Sequence, residues 1–184
     1  MATILLCLSC YNTMAQAPYK ASIGGLLGYL GMGTSFKTFF TEHISFQTDI
    51  FGKLVLTMQA DESNLGAALY PALELNTNVM YQKRIKERKK SELFWVIGGG
   101  LSLGCDLLHG NGKFGANVII GWEYVFKNKP LAFQIDLRPG YGMLFNSGDI
   151  LKEGLHPAIN PWHHFDWLVG FTFRYAFKEK RLEQ

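Results

Sequence analysis

"HFDWLVGFTFRYAFK", residues 164–178, repeats with a period of two. Phe165, Trp167, Val169, Phe171, Phe173, Tyr175 and Phe177 are apolar or aromatic. Between them stand His164, Asp166, Leu168, Gly170, Thr172, Arg174, Ala176 and Lys178. A β-strand sends successive side chains to opposite faces. This segment therefore reads as a strand with one greasy face and one small or charged face.

The same alternation recurs along the chain. In 131–145, Leu131, Phe133, Ile135, Leu137, Pro139, Tyr141, Met143 and Phe145 oppose Ala132, Gln134, Asp136, Arg138, Gly140, Gly142 and Leu144. In 116–126, Val118, Ile120, Trp122, Tyr124 and Phe126 oppose Asn117, Ile119, Gly121, Glu123 and Val125. Segments 44–58, 69–82 and 93–104 follow suit, the last against a glycine-rich face. The stretch 19–40 has room for two more strands with a break near Gly31–Gly33. Turn signals fall at 41–43, 60–66, 83–92, 106–114, 127–130 and 146–164. The expected fold is all-β: an eight-stranded antiparallel up-and-down β-barrel, with strands of about ten residues or more.

The chain has 184 residues, which suits one domain. Aromatics make up 14% and charged residues 18%, a balance that argues against disorder. The net charge of +3 comes largely from "KRIKERKK" (83–90) and makes no case for nucleic acid. Residues 1–17 read as a secretory signal peptide: an apolar run Ile4–Leu8, then small residues, with cleavage after Ala15 or Ala17. No Lys or Arg precedes that run, so the true start is expected upstream. The barrel is assigned to 18–178 and a short tail to 179–184. Cys7 and Cys10 fall in the signal, which leaves Cys105 alone and no disulfide scaffold.

Alternation does not say which face is inside. Size does. Eight strands enclose a narrow interior filled by side chains. Gly, Ala, Ser, Thr and Asn suit that inside, whereas Phe, Trp, Tyr and Leu crowd the other face. An outer surface of bulky hydrophobes aggregates in water and requires lipid. Closure also pairs every backbone amide and carbonyl, as a bilayer demands. The expectation is thus a transmembrane barrel with short periplasmic turns. Its inward charges are Lys37, Asp49, Lys53, Glu74, Glu123, Asp136, Arg138, Asp166 and Arg174. Buried charge must be paired, so these are expected to form a lumen network rather than a catalytic set. Two aromatic girdles are expected, from Tyr81, Trp95, Tyr124, Phe126, Tyr175 and Phe177 at the periplasmic end and Phe145, Trp162 and Trp167 at the outer end.

The chain resembles the small eight-stranded outer-membrane barrels of Gram-negative bacteria, the OmpX-like class. "VGFTFRYAF" (169–177) resembles the aromatic terminal strand that barrel-assembly machinery recognises, although seven residues, "KEKRLEQ", follow it. "IIGWEYVFKNKPLAFQIDLRPGYGM" (119–143) is similar to a hairpin of a large uncharacterised outer-membrane barrel family. The resemblance implies location in the outer membrane, with lipids, lipopolysaccharide and the assembly machinery as partners. It implies no defined activity and no cofactor.

Other chemistry finds less support in the residues. His109, His156, His163 and His164 lie in or beside expected external loops, without ligand spacing, so no metal site is assigned. A lipid-modifying enzyme would use His163 or His164 with Asp166 and Ser147, but no motif surrounds them. A secreted lipocalin-like barrel would reverse every face. The expected role is non-enzymatic: structural, or recognition of an extracellular partner through the 146–164 loop.

Overall fold

The computed structural model describes residues 18–28, 31–61, 64–107, 112–145 and 162–177, with side chains apart from those of 55–61, 64–70, 106, 144–145 and 162–167. The expected signal peptide, the tail, His109, Ser147, His156 and loop residues 146–161 lie outside the described residues.

Eight strands close into an antiparallel barrel in which each pairs with its sequence neighbours and β8 closes on β1. They are β1 (Ala21–Gly28), β2 (Gly31–Phe39), β3 (Ile44–Asp61), β4 (Asn64–Glu87), β5 (Ser91–Asp106), β6 (Gly112–Phe126), β7 (Leu131–Phe145) and β8 (Trp162–Phe177). The closing register runs from Ala21 opposite Phe177 to Gly28 opposite Gly170. Closure leaves the body of the barrel without a free sheet edge. The turns at 40–43, 88–90 and 127–130 share one end with Tyr19 and Phe177, here called the terminal end. The opposite ends of the strands, from Gly28 and Gly31 of the first pair to Phe145 and Trp162 of the last, form the far end.

Several boundaries differ from the sequence expectation. The break was expected near Gly31–Gly33, but both glycines lie inside β2. Their role is close approach rather than turning: a Cβ at Gly31 would sit 2.1 Å from the Gly52 carbonyl oxygen, and one at Gly33 2.1 Å from that of Ile50. The expected strand length is also too long here, since β1 and β2 have 8 and 9 residues. The turn expected over 83–92 shrinks to 88–90, because β4 continues to Glu87. Polarity was the turn signal there, but ladder hydrogen bonds need no apolar side chains, and paired charges support the strand instead. Strand likewise extends into the turn expected at 60–66, to Asp61 and from Asn64, while β6 starts at Gly112 and β8 at Trp162.

The hairpin of β3 and β4 outgrows the barrel. The pairing of β2 with β3 ends at Gly31–Lys53, and that of β4 with β5 ends at Ala72–Asp106. The segments 54–61 and 64–71 therefore pair only with each other.

Among the described side chains burial alternates along the strands, with most of the bulky apolar set outward. Met32, Trp122 and Phe173 are 69%, 59% and 60% exposed. Inside, small residues make room for charged ones. Gly98 and Gly100 of β5 are inward, and a Cβ on Gly100 would lie 1.9 Å from the Thr77 carbonyl oxygen. An apolar cluster of Tyr19, Phe39, Phe94, Val125, Ala132 and Ala176 seals the terminal end.

Candidate functional site

The interior is the most organised chemical feature of the molecule. It is arranged in three tiers along the barrel axis, two centred on a glutamate and the one between them on an arginine.

The lowest tier lies just above the apolar seal. Alternation along β2, β6 and β8 brings Lys37, Glu123 and Arg174 to one level, all with side chains 0% exposed. Lys37 Nζ donates to Glu123 Oε2 at 2.9 Å and to Gln82 Oε1 at 2.7 Å. Arg174 Nη1 donates to Gln134 Oε1 at 2.8 Å and to Glu123 Oε1 at 3.4 Å. Its Nη2 reaches Ser35 Oγ at 3.0 Å. The Tyr19 hydroxyl, from just before β1, donates to Glu123 Oε1 at 2.5 Å. Burial first, and then the Glu123 carboxylate, hold the Tyr19 phenol well above its ordinary value, so it keeps the proton it donates. Below, the ammonium of Lys37 lies 5.3 Å from the Phe39 ring centroid.

The middle tier inverts the charge. Arg138 of β7 donates to Asp136 on its own strand, with Nε to Oδ1 at 2.5 Å, and to Asp49 of β3 across the lumen. Gln47 and Gln134 donate to the same two carboxylates, at 2.8 Å and 2.6 Å. Each amide thus links two neighbouring levels of its strand.

The upper tier repeats the lower one in sign. Glu74 of β4 accepts from Lys53 of β3 at 2.8 Å and from Lys113 of β6. Asn117 donates to Asn76 beside it at 3.2 Å. The gap lined by Lys53, Glu74, Lys113 and Arg138 has a volume of about 20 Å³, room for a single water.

The structure therefore places Lys37, Asp49, Lys53, Glu74, Glu123, Asp136, Arg138 and Arg174 inside the barrel and brings them into contact tier by tier. The side chain of Asp166 lies outside the described residues. Sequence reasoning missed Lys113, which sat in an expected glycine loop. Its parity with Gly115, Asn117 and Glu123 was the available signal. It also missed Tyr19 as a network member, for which no periodicity exists. Gln82 and Gln134 were visible as inward residues, but their bonding was not.

Among the expected girdle residues, Tyr81, Trp95, Tyr124, Phe126, Tyr175 and Phe177 lie on the outward face near the terminal end. The rings of Tyr81 and Trp95 are 6.2 Å apart, Tyr124 and Phe126 5.0 Å, and Tyr175 and Phe177 5.3 Å. The side chains of Phe145, Trp162 and Trp167 lie outside the described residues, as do those of His163 and His164. Among the described residues no group of three His, Cys, Asp or Glu is placed to hold a metal ion.

Among the described residues every carboxylate of the three tiers is hydrogen-bonded to at least one cation, Glu123 and Glu74 to two each and Asp49 and Asp136 to the shared Arg138. Neither a protein-family model nor a curated protein matches the chain.

Proposed function

We propose that the chain is an integral outer-membrane β-barrel of a Gram-negative bacterium, of the small OmpX-like kind, with a non-enzymatic role. The observation that carries this reading is the inverted distribution of polarity. Charged and polar groups, with a few apolar side chains such as Leu26, Phe51 and Met80 among them, fill the lumen, while Ile, Leu, Val, Phe, Trp and Tyr side chains cover the outside of all eight strands. In water such a continuous apolar surface would drive aggregation. In a bilayer it is the favourable one, and the closed ladder satisfies the backbone. The lipocalin-like alternative needs an apolar cavity, and an interior filled largely by paired charged and polar side chains speaks against it.

Export places both chain ends in the periplasm. The terminal end, with its short turns and outward aromatics, then lies at the periplasmic interface, and the far end faces the medium. The partners are outer-membrane lipid, lipopolysaccharide on the outer side, and the assembly machinery through β8. The role is structural, or recognition of an extracellular partner through 146–164. The lumen is braced too tightly for nutrient passage.

The test is expression behind a functional signal, followed by membrane fractionation with urea washing. The expected result is retention in the outer-membrane fraction and migration on electrophoresis that shifts on boiling. A soluble periplasmic product would refute the proposal.

A further inference from the structure

The run Lys83–Lys90 is exposed throughout and projects at the terminal end. The pairing of β3 with β4 stops at Ile44–Tyr81, while β4 and β5 stay paired to Glu87–Glu92. A bulge at Ile85 breaks the alternation: Lys83 pairs with Trp95, Arg84 with Phe94, Lys86 with Leu93 and Glu87 with Glu92. Bulges re-aim side chains. Without the extra residue, Lys86 would point to the inner face and Glu87 to the outer one. With it, Lys83 and Lys86 both join the outward face below Trp95, and both acids turn inward.

The two faces of this ribbon consequently differ. On the inner side the acids are consumed: Arg84 pairs with Glu87 and Glu92, each at 3.1 Å, and Lys127 reaches both carboxylates. On the outer side, Lys83, Lys86 and Arg88 form no ion pair among the described residues. There, Lys86, Arg88, Ser91, Leu93 and Tyr124 line a cleft of about 110 Å³. It combines two cations and two hydroxyl-bearing residues with an aliphatic wall, and it continues into the apolar band above.

We propose that this cleft is a headgroup site for an anionic phospholipid of the leaflet at the terminal end. Lys86 and Arg88 hold the phosphodiester by charge-assisted hydrogen bonds, and Lys83 adds field beside them. The acyl chains lie along Leu93 and Trp95. The inference rests on the membrane reading above. A diffuse basic patch would not need the bulge, nor cations sorted to the lipid-facing side.

The test uses the full chain in neutral detergent with equimolar phosphatidylglycerol and phosphatidylcholine, the lipids retained being counted by native mass spectrometry. The wild type is expected to enrich phosphatidylglycerol. K86Q/R88Q is expected to lose roughly fivefold of that enrichment for each charge removed. K89Q/K129Q removes the same charge outside the cleft and is expected to stay within about twofold of the wild type, at the scale of surface charges. Both variants are checked for heat-modifiable migration, so a misfolded chain is recognised. Equal losses in the two variants, or no preference in the wild type, would overturn the site. Displacement of phosphatidylglycerol by equal inorganic phosphate would overturn the lipid assignment in favour of a free anion. A chain that needs no detergent would instead overturn the membrane reading.

Discussion

Glu123 and Glu74 occupy comparable positions at opposite ends of one lumen, and each lies between two cations. Their surroundings differ. Glu123 is sealed below by Tyr19, Phe39 and Phe94, and its partners come from β2, β4 and β8 as well as from Tyr19 ahead of β1. Glu74 sits beside a water-sized gap, held by β3 and β6 alone among the described contacts, and Lys53 retains 9% side-chain exposure. The lower tier ties the barrel circumference together, whereas the upper tier staples one side near the far end. A buried ion pair contributes little net stability relative to a packed apolar core, yet breaking one is costly because the partner is stranded. The difference between the tiers is thus a difference in what remains after one member is removed.

That comparison orders the expected effects. Glu123→Gln strands Lys37 and Arg174 where water does not reach, so the loss is expected at about 3–5 kcal/mol. Urea titration of the chain folded in lipid vesicles measures it. Second is a change outside the lumen: Ile120→Lys, midway along β6, is expected to cost about 2–4 kcal/mol in the same assay, against about 0–1 for Tyr124→Lys near the interface. Equal costs at the two depths would contradict a lipid-facing band. Glu74→Gln comes third, at about 1–3 kcal/mol, since the gap admits water to Lys53 and Lys113. If Glu74→Gln proved as damaging as Glu123→Gln, the contrast between the tiers would fail. Smallest is Tyr19→Phe, about 1 kcal/mol, because Glu123 keeps its other donors. Thermal unfolding of that variant beside wild type resolves the loss.

The fold was legible in the sequence because a two-residue period survives wherever one face is apolar. The final strand shows this clearly: Phe171, Phe173 and Tyr175 are outward, and Thr172 and Arg174 are inward. Boundaries were less legible where charge or glycine mimics a turn. Lys83–Glu87 is strand because its ladder and its ion pairs are independent of hydropathy. Gly31 and Gly33 are strand because two backbones approach too closely for a Cβ. Parity identified eight of the inward charges but not Lys113, and it gave no sign of their grouping into tiers. That depends on register between strands distant in sequence, such as the stagger that brings Lys37 level with Glu123. No single-strand pattern contains it, and the bulge that re-aims Lys86 is equally silent.

The central claim is that the apolar face meets lipid while the charged face meets only protein. Nitroxide labels on a Cys105→Ser background, placed singly at outward Val79, Val118, Ile120 and Val169 in reconstituted vesicles, test it most directly. Paramagnetic resonance then compares collisions with oxygen, which partitions into lipid, and with a water-soluble nickel complex. The account predicts high oxygen and low nickel accessibility at all four positions, with oxygen accessibility highest at the sites nearest mid-bilayer. High nickel accessibility at these positions would place the apolar face in water and contradict the account.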